Sequence, residues 1–329
     1  MFRTQQVLAL ITLFVGLAHS LSWDIAVGAR NKLEFYNNGA IAYVEDFGSD
    51  LIIEHLVYDV AHNRLLLVDG NRTRDTYIYS YNIATKEKQP LVKRRLNEWF
   101  HESMYNLAYD PVMEILFWSD IFKIYWFSLK PGFVNNVYGN DLLEFDESIP
   151  WGVAVDSCKG YIYWTNVVDR GSSTIERARF DGSERELVLS GNMRAIRHLV
   201  IDQQTQKMYW TDDKIRRNRP AKATQFSIHS ADLSGENKTT MYIEKEKNQP
   251  RALAVSKDSI YWVPSFDLSS KIWHLPKNAS EDTNPEAISV SGWYSNSIAA
   301  NYKIEDQIRG IQDCEPLRNL LPKDQVTNE

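Results

Sequence analysis

The chain has 329 residues, 43% of them hydrophobic and 24% charged, a balance that fills a large core and excludes wholesale disorder. A formal net charge of −6 excludes a nucleic-acid binder driven by global basic charge. Two cysteines exclude a disulfide-stapled miniprotein and any Cys-rich zinc module, and 12% aromatic residues favour β-rich packing.

Residues 1–20 combine Arg3, an apolar run from Val7 to Leu17 and the small-residue segment Ala18-His19-Ser20. This is the pattern of a signal peptide cleaved after Ser20. The alternative, a membrane-spanning first helix, needs about 20 apolar residues. No later apolar stretch is long enough to span a bilayer and the C-terminal tail is polar, so the expected product is secreted and extracellular, with no membrane span. Sequons at Asn71, Asn237 and Asn278 fall in polar, turn-like stretches and are the expected glycosylation sites.

Beyond residue 20 the chain repeats. Six short apolar runs end at Asp59, Asp110, Asp156, Asp202, Ser256 and Asn301, spaced by 51, 46, 46, 54 and 45 residues. Five continue through a turn into a second apolar-aromatic run, from Leu65, Leu116, Tyr161, Met208 and Ile260. Third and fourth runs follow, clearest after Thr174 and Phe226, with Asp181-Gly182 and Ser234-Gly235 supplying hairpin turns. Four strands per unit, repeated at this period, predict an all-β, six-bladed β-propeller; paired β-sandwiches fit the register poorly. The sixth unit has only its first strand, Ser297–Asn301, so strands near Asp24, Lys32 and Ala40 are expected to close its blade and leave no open edge. The expected propeller covers residues 21–310, followed by a tail over 311–329.

Tyr209-Trp210-Thr211-Asp212 matches the YWTD repeat of the low-density lipoprotein receptor class B family; Tyr163-Trp164-Thr165-Asn166 and Phe117-Trp118-Ser119-Asp120 are near matches, and Tyr261-Trp262 keeps half. The chain thus resembles that family over about residues 22–310. The family's propellers occur in lipoprotein receptors, Wnt co-receptors, nidogen and cueball. The resemblance implies that Trp118, Trp164, Trp210 and Trp262 pack between blades. It also implies that Asp120, Asn166 and Asp212, or the motif Thr, bond a neighbouring blade. The first and fifth units depart from the motif at its Asp and are expected to bond differently. No EGF-like or Cys-rich module accompanies the repeat, which argues against an endocytic receptor role. Cys158 falls in a turn on the face where the last first strand ends, so Cys314 could cross beneath the ring to pair with it; two unpaired thiols are the alternative.

The sequence presents no His-Glu-x-x-His, Cys-x-x-Cys, Gly-x-Ser-x-Gly or phosphate-cradling run. His55 and His198 open equivalent strands and read as repeat-equivalent structural residues. No catalytic residue, metal site or cofactor is expected, and the chain is read as a non-enzyme; a calcium-dependent propeller hydrolase is the alternative.

Binding is the better class. Trp151, Arg197, Arg251 and Trp293 stand at equivalent positions beside first strands, with Trp99, Phe100 and Glu102 before the second repeat. Such Trp and Arg side chains anchor interfaces; plugging the channel is the alternative. Asp69, Asp120, Asn166 and Asp212 would form a partly acidic ring. The basic loop Lys214–Lys222 is a solvated loop or a glycosaminoglycan site, and Lys93-Arg94-Arg95 joins it or is a processing site. The expected partner is an extracellular protein of lipoprotein-receptor or Wnt-pathway type, or a matrix component, with no nucleic acid. The resemblance adds a dedicated endoplasmic-reticulum chaperone for YWTD propellers.

Overall fold

The computed structural model describes residues 22–94, 104–168, 172–191, 193–214, 225–244, 250–264, 271–289, 295–311 and 313–321. The signal segment, Trp99, Phe100, Glu102, Trp293 and most of the basic loop lie outside the described residues. Every sheet has four antiparallel strands, and in blades 1 to 5 they follow in chain order from the axis outwards. Blade 1 is built from Ile53–Asp59, Arg64–Asp69, Thr76–Asn82 and Lys88–Lys93. Blade 2 uses Asn106–Asp110, Ile115–Ser119, Lys123–Ser128 and Asn140–Glu144. Blade 3 uses Ser148–Asp156, Tyr161–Val168, Ser172–Arg179 and Glu186–Leu189, and blade 4 Ile196–Asp202, Lys207–Lys214, Gln225–Asp232 and Thr239–Ile243. Blade 5 uses Pro250–Val255, Ser259–Pro264, Lys271–Pro276 and Glu286–Ser289.

Blade 6 joins the two ends of the chain. Its innermost strand, Ser295–Ala300, pairs with Ile25–Ala29, then Lys32–Asn37 and Ala40–Asp46 follow outwards. The register sets Val27 opposite Ile298 and Ile25 opposite Ala300. The closure expected from the incomplete sixth repeat is therefore present, and the fold is a six-bladed β-propeller. The turn pairs behave as the sequence requires: Gly182 and Gly235 have φ of +83° and +87°. A Cβ on Gly235 would lie 2.2 Å from the Val188 carbonyl of the preceding blade, so blade packing also excludes a side chain there.

The core is divided by the ring. Six apolar clusters each span two neighbouring blades. The second strand of each blade is hydrophobic on both faces because it is covered by blades on both sides, which explains continuous runs such as Arg64–Asp69 and Tyr161–Val168. Trp118, Trp164, Trp210 and Trp262 are all buried, packed with residues of the preceding blade: Trp164 with Ala108, Phe117 and Ile124, Trp210 with Ala154 and Tyr163. Large rings at this position fill the wedge between twisted sheets. In blade 1 that place is taken by Leu67, packed against Ala26 and Phe35 of blade 6.

The polar ends of the second strands differ from expectation. Asp212 Oδ1 accepts the backbone N–H groups of Arg194 and Ala195, at 3.1 and 3.2 Å, in the segment leading into its own blade. Thr165 Oγ1 accepts Gly152 N–H at 2.8 Å, again within blade 3. Asp120 Oδ1 accepts the N–H groups of Phe122 and Lys123 in its own turn, and Asn166 Nδ2 donates to Glu176 of its own blade. Ser119 and Tyr163 reach the next blade: the Ser119 hydroxyl donates to the Trp151 carbonyl, and the Tyr163 hydroxyl donates to the Leu233 carbonyl at 3.2 Å. Thr165 and Asp212 brace the start of their own blade, where backbone N–H groups have no strand partner, and Asp120 and Asn166 brace the turn and the third strand that follow them. Blade 1 departs less than expected: Asp69 takes the Asp role and accepts Ile52 N–H at 3.0 Å.

The ring ends at Ala300, short of the boundary expected at residue 310, and the chain then folds beneath the propeller. Two short helical turns, α1 (Ile304–Gln307) and α2 (Glu315–Arg318), carry Ile304, Ile308 and Leu317 into a seventh cluster with Val60 of blade 1, Val112 of blade 2 and Cys158 of blade 3. A disulfide joins Cys158 to Cys314. Lys257 of blade 5 pairs with Asp306 at 3.0 Å, and Tyr302 Oη lies 3.0 Å from Asp202 Oδ1 of blade 4. The tail thus holds blades 1 to 5 from below.

Candidate functional site

The six innermost strands surround a channel of about 210 Å³. Tyr302 and Gln307 of the tail line it at the lower face, where the innermost strands end. At the upper face, where those strands begin, His55, Asn106, His198, Arg251 and Ser297 form its lining. The channel therefore reads as a cup with its mouth upward and the tail as its floor.

The mouth is built from one register position. Glu54, Tyr105, Trp151, Arg197 and Arg251 each stand immediately before the first residue of their blade's repeat. Closing the ring brings three of them into one stack: the rings of Tyr105 and Trp151 lie parallel with centroids 4.1 Å apart, and the Arg197 guanidinium sits 4.7 Å from the Trp151 ring. Offset rings and a cation over an aromatic face are both attractive and fix the side chains in place. Trp151 and Arg197 are half-buried and Arg251 is exposed, so the stack is held from below yet offers an upward surface.

Charge at the mouth is uneven. Burial pushes the Glu54 carboxyl upward, while Arg72, Arg94 and Arg251 act in the opposite sense. Desolvation lowers His55 to about 4, and lowers His198 to about 3 with His55, Arg197 and Arg251 adding repulsion. Both imidazoles are neutral at pH 7, and each Nε2 is bound to a backbone oxygen, Met104 at 3.2 Å and Pro250 at 3.1 Å. Arg197 and Arg251 are cationic groups of the rim, both close enough to act on the His198 imidazole.

Sequence reasoning placed Trp151, Arg197 and Arg251 separately, and the structure brings the first two into contact and sets the third on the channel lining. It missed Glu54 and Tyr105, although the same register position marks both. The expected acidic ring is not a surface: Asp69, Asp120, Asn166 and Asp212 are buried and engaged as described above. Arg94 is also corrected. It is 4% exposed, its guanidinium lies 4.4 Å from the Tyr77 ring and donates to the Asp69 carbonyl, so it belongs to neither a basic patch nor a processing site. Among the described residues, no group of three or more His, Cys, Asp or Glu is placed to share a metal ion. No described helix is long and apolar enough to cross a membrane. Of the sequons, Asn237 and Asn278 are exposed and Asn71 is half-buried; Asn71 Oδ1 accepts the Thr73 hydroxyl at 2.8 Å in a local turn.

The family model for the low-density lipoprotein receptor repeat class B matches residues 160–202, the Trp164 blade and the start of the next. Among curated proteins, the chain is 30% identical over 277 residues to protein cueball of Drosophila erecta, covering 82% of this chain and 40% of the relative. It is 28% identical over 290 residues to protein cueball of Drosophila virilis, covering 84% and 43%. The chain thus spans less than half the length of the curated relatives it matches. In fold it is similar to a chain of the nidogen/laminin complex, with a TM-score of 0.66 at 12% identity over 85% of this chain and 98% of that one. TolB from Acinetobacter baumannii also superposes, with a TM-score of 0.62 at 10% identity over 86% and 67%. Repeat, strand order and relatives agree: the chain belongs to the low-density lipoprotein receptor class B (YWTD) propeller family.

Proposed function

We propose that the chain is a secreted, extracellular protein-binding propeller that takes its partner on the upper face, over the channel mouth. The observation that carries this reading is the Tyr105–Trp151–Arg197 stack beside Arg251, a pre-arranged set of the residue types that dominate interface hot spots. With Arg197 and Arg251 at the rim, the complementary partner group is a carboxylate. The similar fold in the nidogen/laminin complex supports a protein partner, and with it a matrix role beside the receptor-modulator one. The chain acts by binding and not by catalysis. Its partner is of the lipoprotein-receptor, Wnt-pathway or matrix class. Glycans at Asn71, Asn237 and Asn278, a glycosaminoglycan contact on Lys214–Lys222 and an endoplasmic-reticulum folding chaperone complete the proposal.

Crosslinking capture from native extracellular fluid tests it, with the wild type beside a Trp151→Ala, Arg251→Ala variant of equal melting temperature. A protein captured by the wild type and lost by the variant is the expected result. Equal capture by both would remove the site from the mouth.

A further inference from the structure

The three sequons do not share a face. Asn237 follows the third strand of blade 4, where Asp232 pairs with Lys207 at the lower turn, and its Nδ2 donates to Asp232. Asn278 follows Pro276, which pairs with Ser259 at the lower turn of blade 5, and its neighbour Lys277 holds Asp202 beside the tail. Asn71 stands at the other end. It follows Asp69, which pairs with Ile53 where the first strand of blade 1 begins. The turn that carries it joins the second and third strands of that blade on the upper face.

Asn71 borders the mouth through its own backbone. Gly70 N–H donates to Ile52 O at 2.7 Å. A Cβ on Gly70 would lie 2.6 Å from Glu54 Cγ, so the mouth residue of blade 1 packs against the residue before Asn71. The residue after Glu54, His55, bonds Met104 O, and Met104 precedes Tyr105 of the stack. The turn is also stiff. Asp69 Oδ1 accepts Asn71 N–H at 2.9 Å, and Asn71 Oδ1 accepts both the N–H and the hydroxyl of Thr73, at 3.2 and 2.8 Å. Arg74 N–H closes it on Asn71 O at 3.2 Å. The side-chain oxygen of Asn71 is thus turned into the loop, while its Nδ2, the atom that takes a glycan, has no hydrogen-bond partner among the described residues.

We propose that an oligosaccharide on Asn71 screens the channel mouth from the blade 1 side and sets how strongly the upper face binds its protein partner. This inference rests on the upper-face binding reading and on secretion. Transfer from a lipid-linked diphosphate donor joins Asn71 Nδ2 to the anomeric carbon of the sugar, breaks that carbon's bond to the diphosphate and releases one Nδ2 proton to the transferring enzyme. The product is a bulky, hydrated chain anchored on a stiff turn next to Glu54. A protein that covers the stack and Arg251 presents roughly 800 Å² to this face and meets the sugar as it docks. Restricting and dehydrating the sugar then subtracts from the binding free energy. Glycans on Asn237 and Asn278 stand at the opposite ends of their blades and leave the mouth uncovered. Occupancy of Asn71 therefore divides the secreted chain into a screened and an open form.

The test uses the full chain secreted from animal cells with Asn237→Gln/Asn278→Gln, which leaves Asn71 as the one sequon. Half of the preparation is trimmed with an endoglycosidase to a single sugar at Asn71, so the two forms differ only in the oligosaccharide. The probe is a phage-displayed random peptide library selected on the trimmed form. Its mouth-directed members are those that lose binding to Trp151→Ala/Arg251→Ala in the same background. These phage are expected to bind the untrimmed form roughly tenfold or more weakly, and Asn71→Gln should bind them as the trimmed form does. An intact mass without a glycan at Asn71, equal binding by the two forms, or tighter binding by the untrimmed form overturns the proposal, and the mouth reading survives each of these. Selected phage that all bind Trp151→Ala/Arg251→Ala undiminished overturn the mouth reading, and this inference with it.

Discussion

His55 and His198 occupy the same position in blades 1 and 4, across the channel from each other, and each imidazole ties its blade to the next through a backbone oxygen, Met104 and Pro250 respectively. A carbonyl only accepts, so Nε2 carries the proton, and desolvation keeps the other ring nitrogen unprotonated at pH 7. The folded values of about 4 and about 3 lie below the ordinary His value of about 6.5. The unfolded chain therefore binds more protons below pH 6.5, and stability falls from there towards pH 4 by about 1.4 kcal/mol per unit of separation and site. Melting temperatures between pH 7.5 and 4.5 should show this loss, and His55→Gln/His198→Gln, which keeps an N–H donor at each place, should reduce it.

Asp110 works in the opposite sense. Burial raises its carboxyl to about 6, with Asp156 adding repulsion against the hydrogen bonds from Ser157 and Met113. A raised acid opposes folding above its folded value, and that penalty disappears as pH falls from 6 towards 4. Asp110→Asn keeps an acceptor for Met113 N–H and removes the buried charge. It should raise stability at pH 7.5 by roughly 2 kcal/mol, and the gain should fade by pH 5 in paired denaturant titrations.

Gly152 is required by the approach of blades 3 and 4. A Cβ there would lie 2.6 Å from Arg197 O and 2.9 Å from Leu199 N, both backbone atoms that cannot turn aside. Gly152→Ala should cost about 1–3 kcal/mol, as overpacking does. It should also separate Trp151 from Arg197, so partner capture weakens by more than the stability loss explains. Near-ultraviolet circular dichroism of the Tyr105–Trp151 stack beside the binding measurement checks this.

The tail is a structural member as well as a floor. The Cys158–Cys314 bond closes a span of 156 residues, and α1 and α2 bury Ile304, Ile308 and Leu317 against three blades. Cys314→Ser should lower stability by roughly 2–5 kcal/mol. Limited proteolysis should then cut near Arg309 and Arg318 before any cut within the blades.

The blades, their order and the closure by N-terminal strands were legible because each rests on local runs at a fixed spacing. The burial of Trp164 and Trp210 was legible for the same reason. The stack was not, because Tyr105, Trp151 and Arg197 come from three blades and meet only when the ring closes. The acidic ring was misread because sequence gives the positions of Asp69 and Asp212 but not the unpaired backbone N–H groups that claim them. Arg94 looked like part of a basic run, and only the Tyr77 ring and the Asp69 carbonyl beneath it show why it turns inward.

Site-specific photocrosslinking tests the upper-face assignment most directly. A photoreactive residue is placed at Arg194, on the segment leading into blade 4 from above, or at Lys159, in the lower turn of blade 3; both positions are exposed. Each variant is irradiated in native extracellular fluid. A discrete protein adduct from position 194 and none from 159 is the expected result. An adduct from position 159 alone would contradict binding at the mouth and place the partner on the tail face.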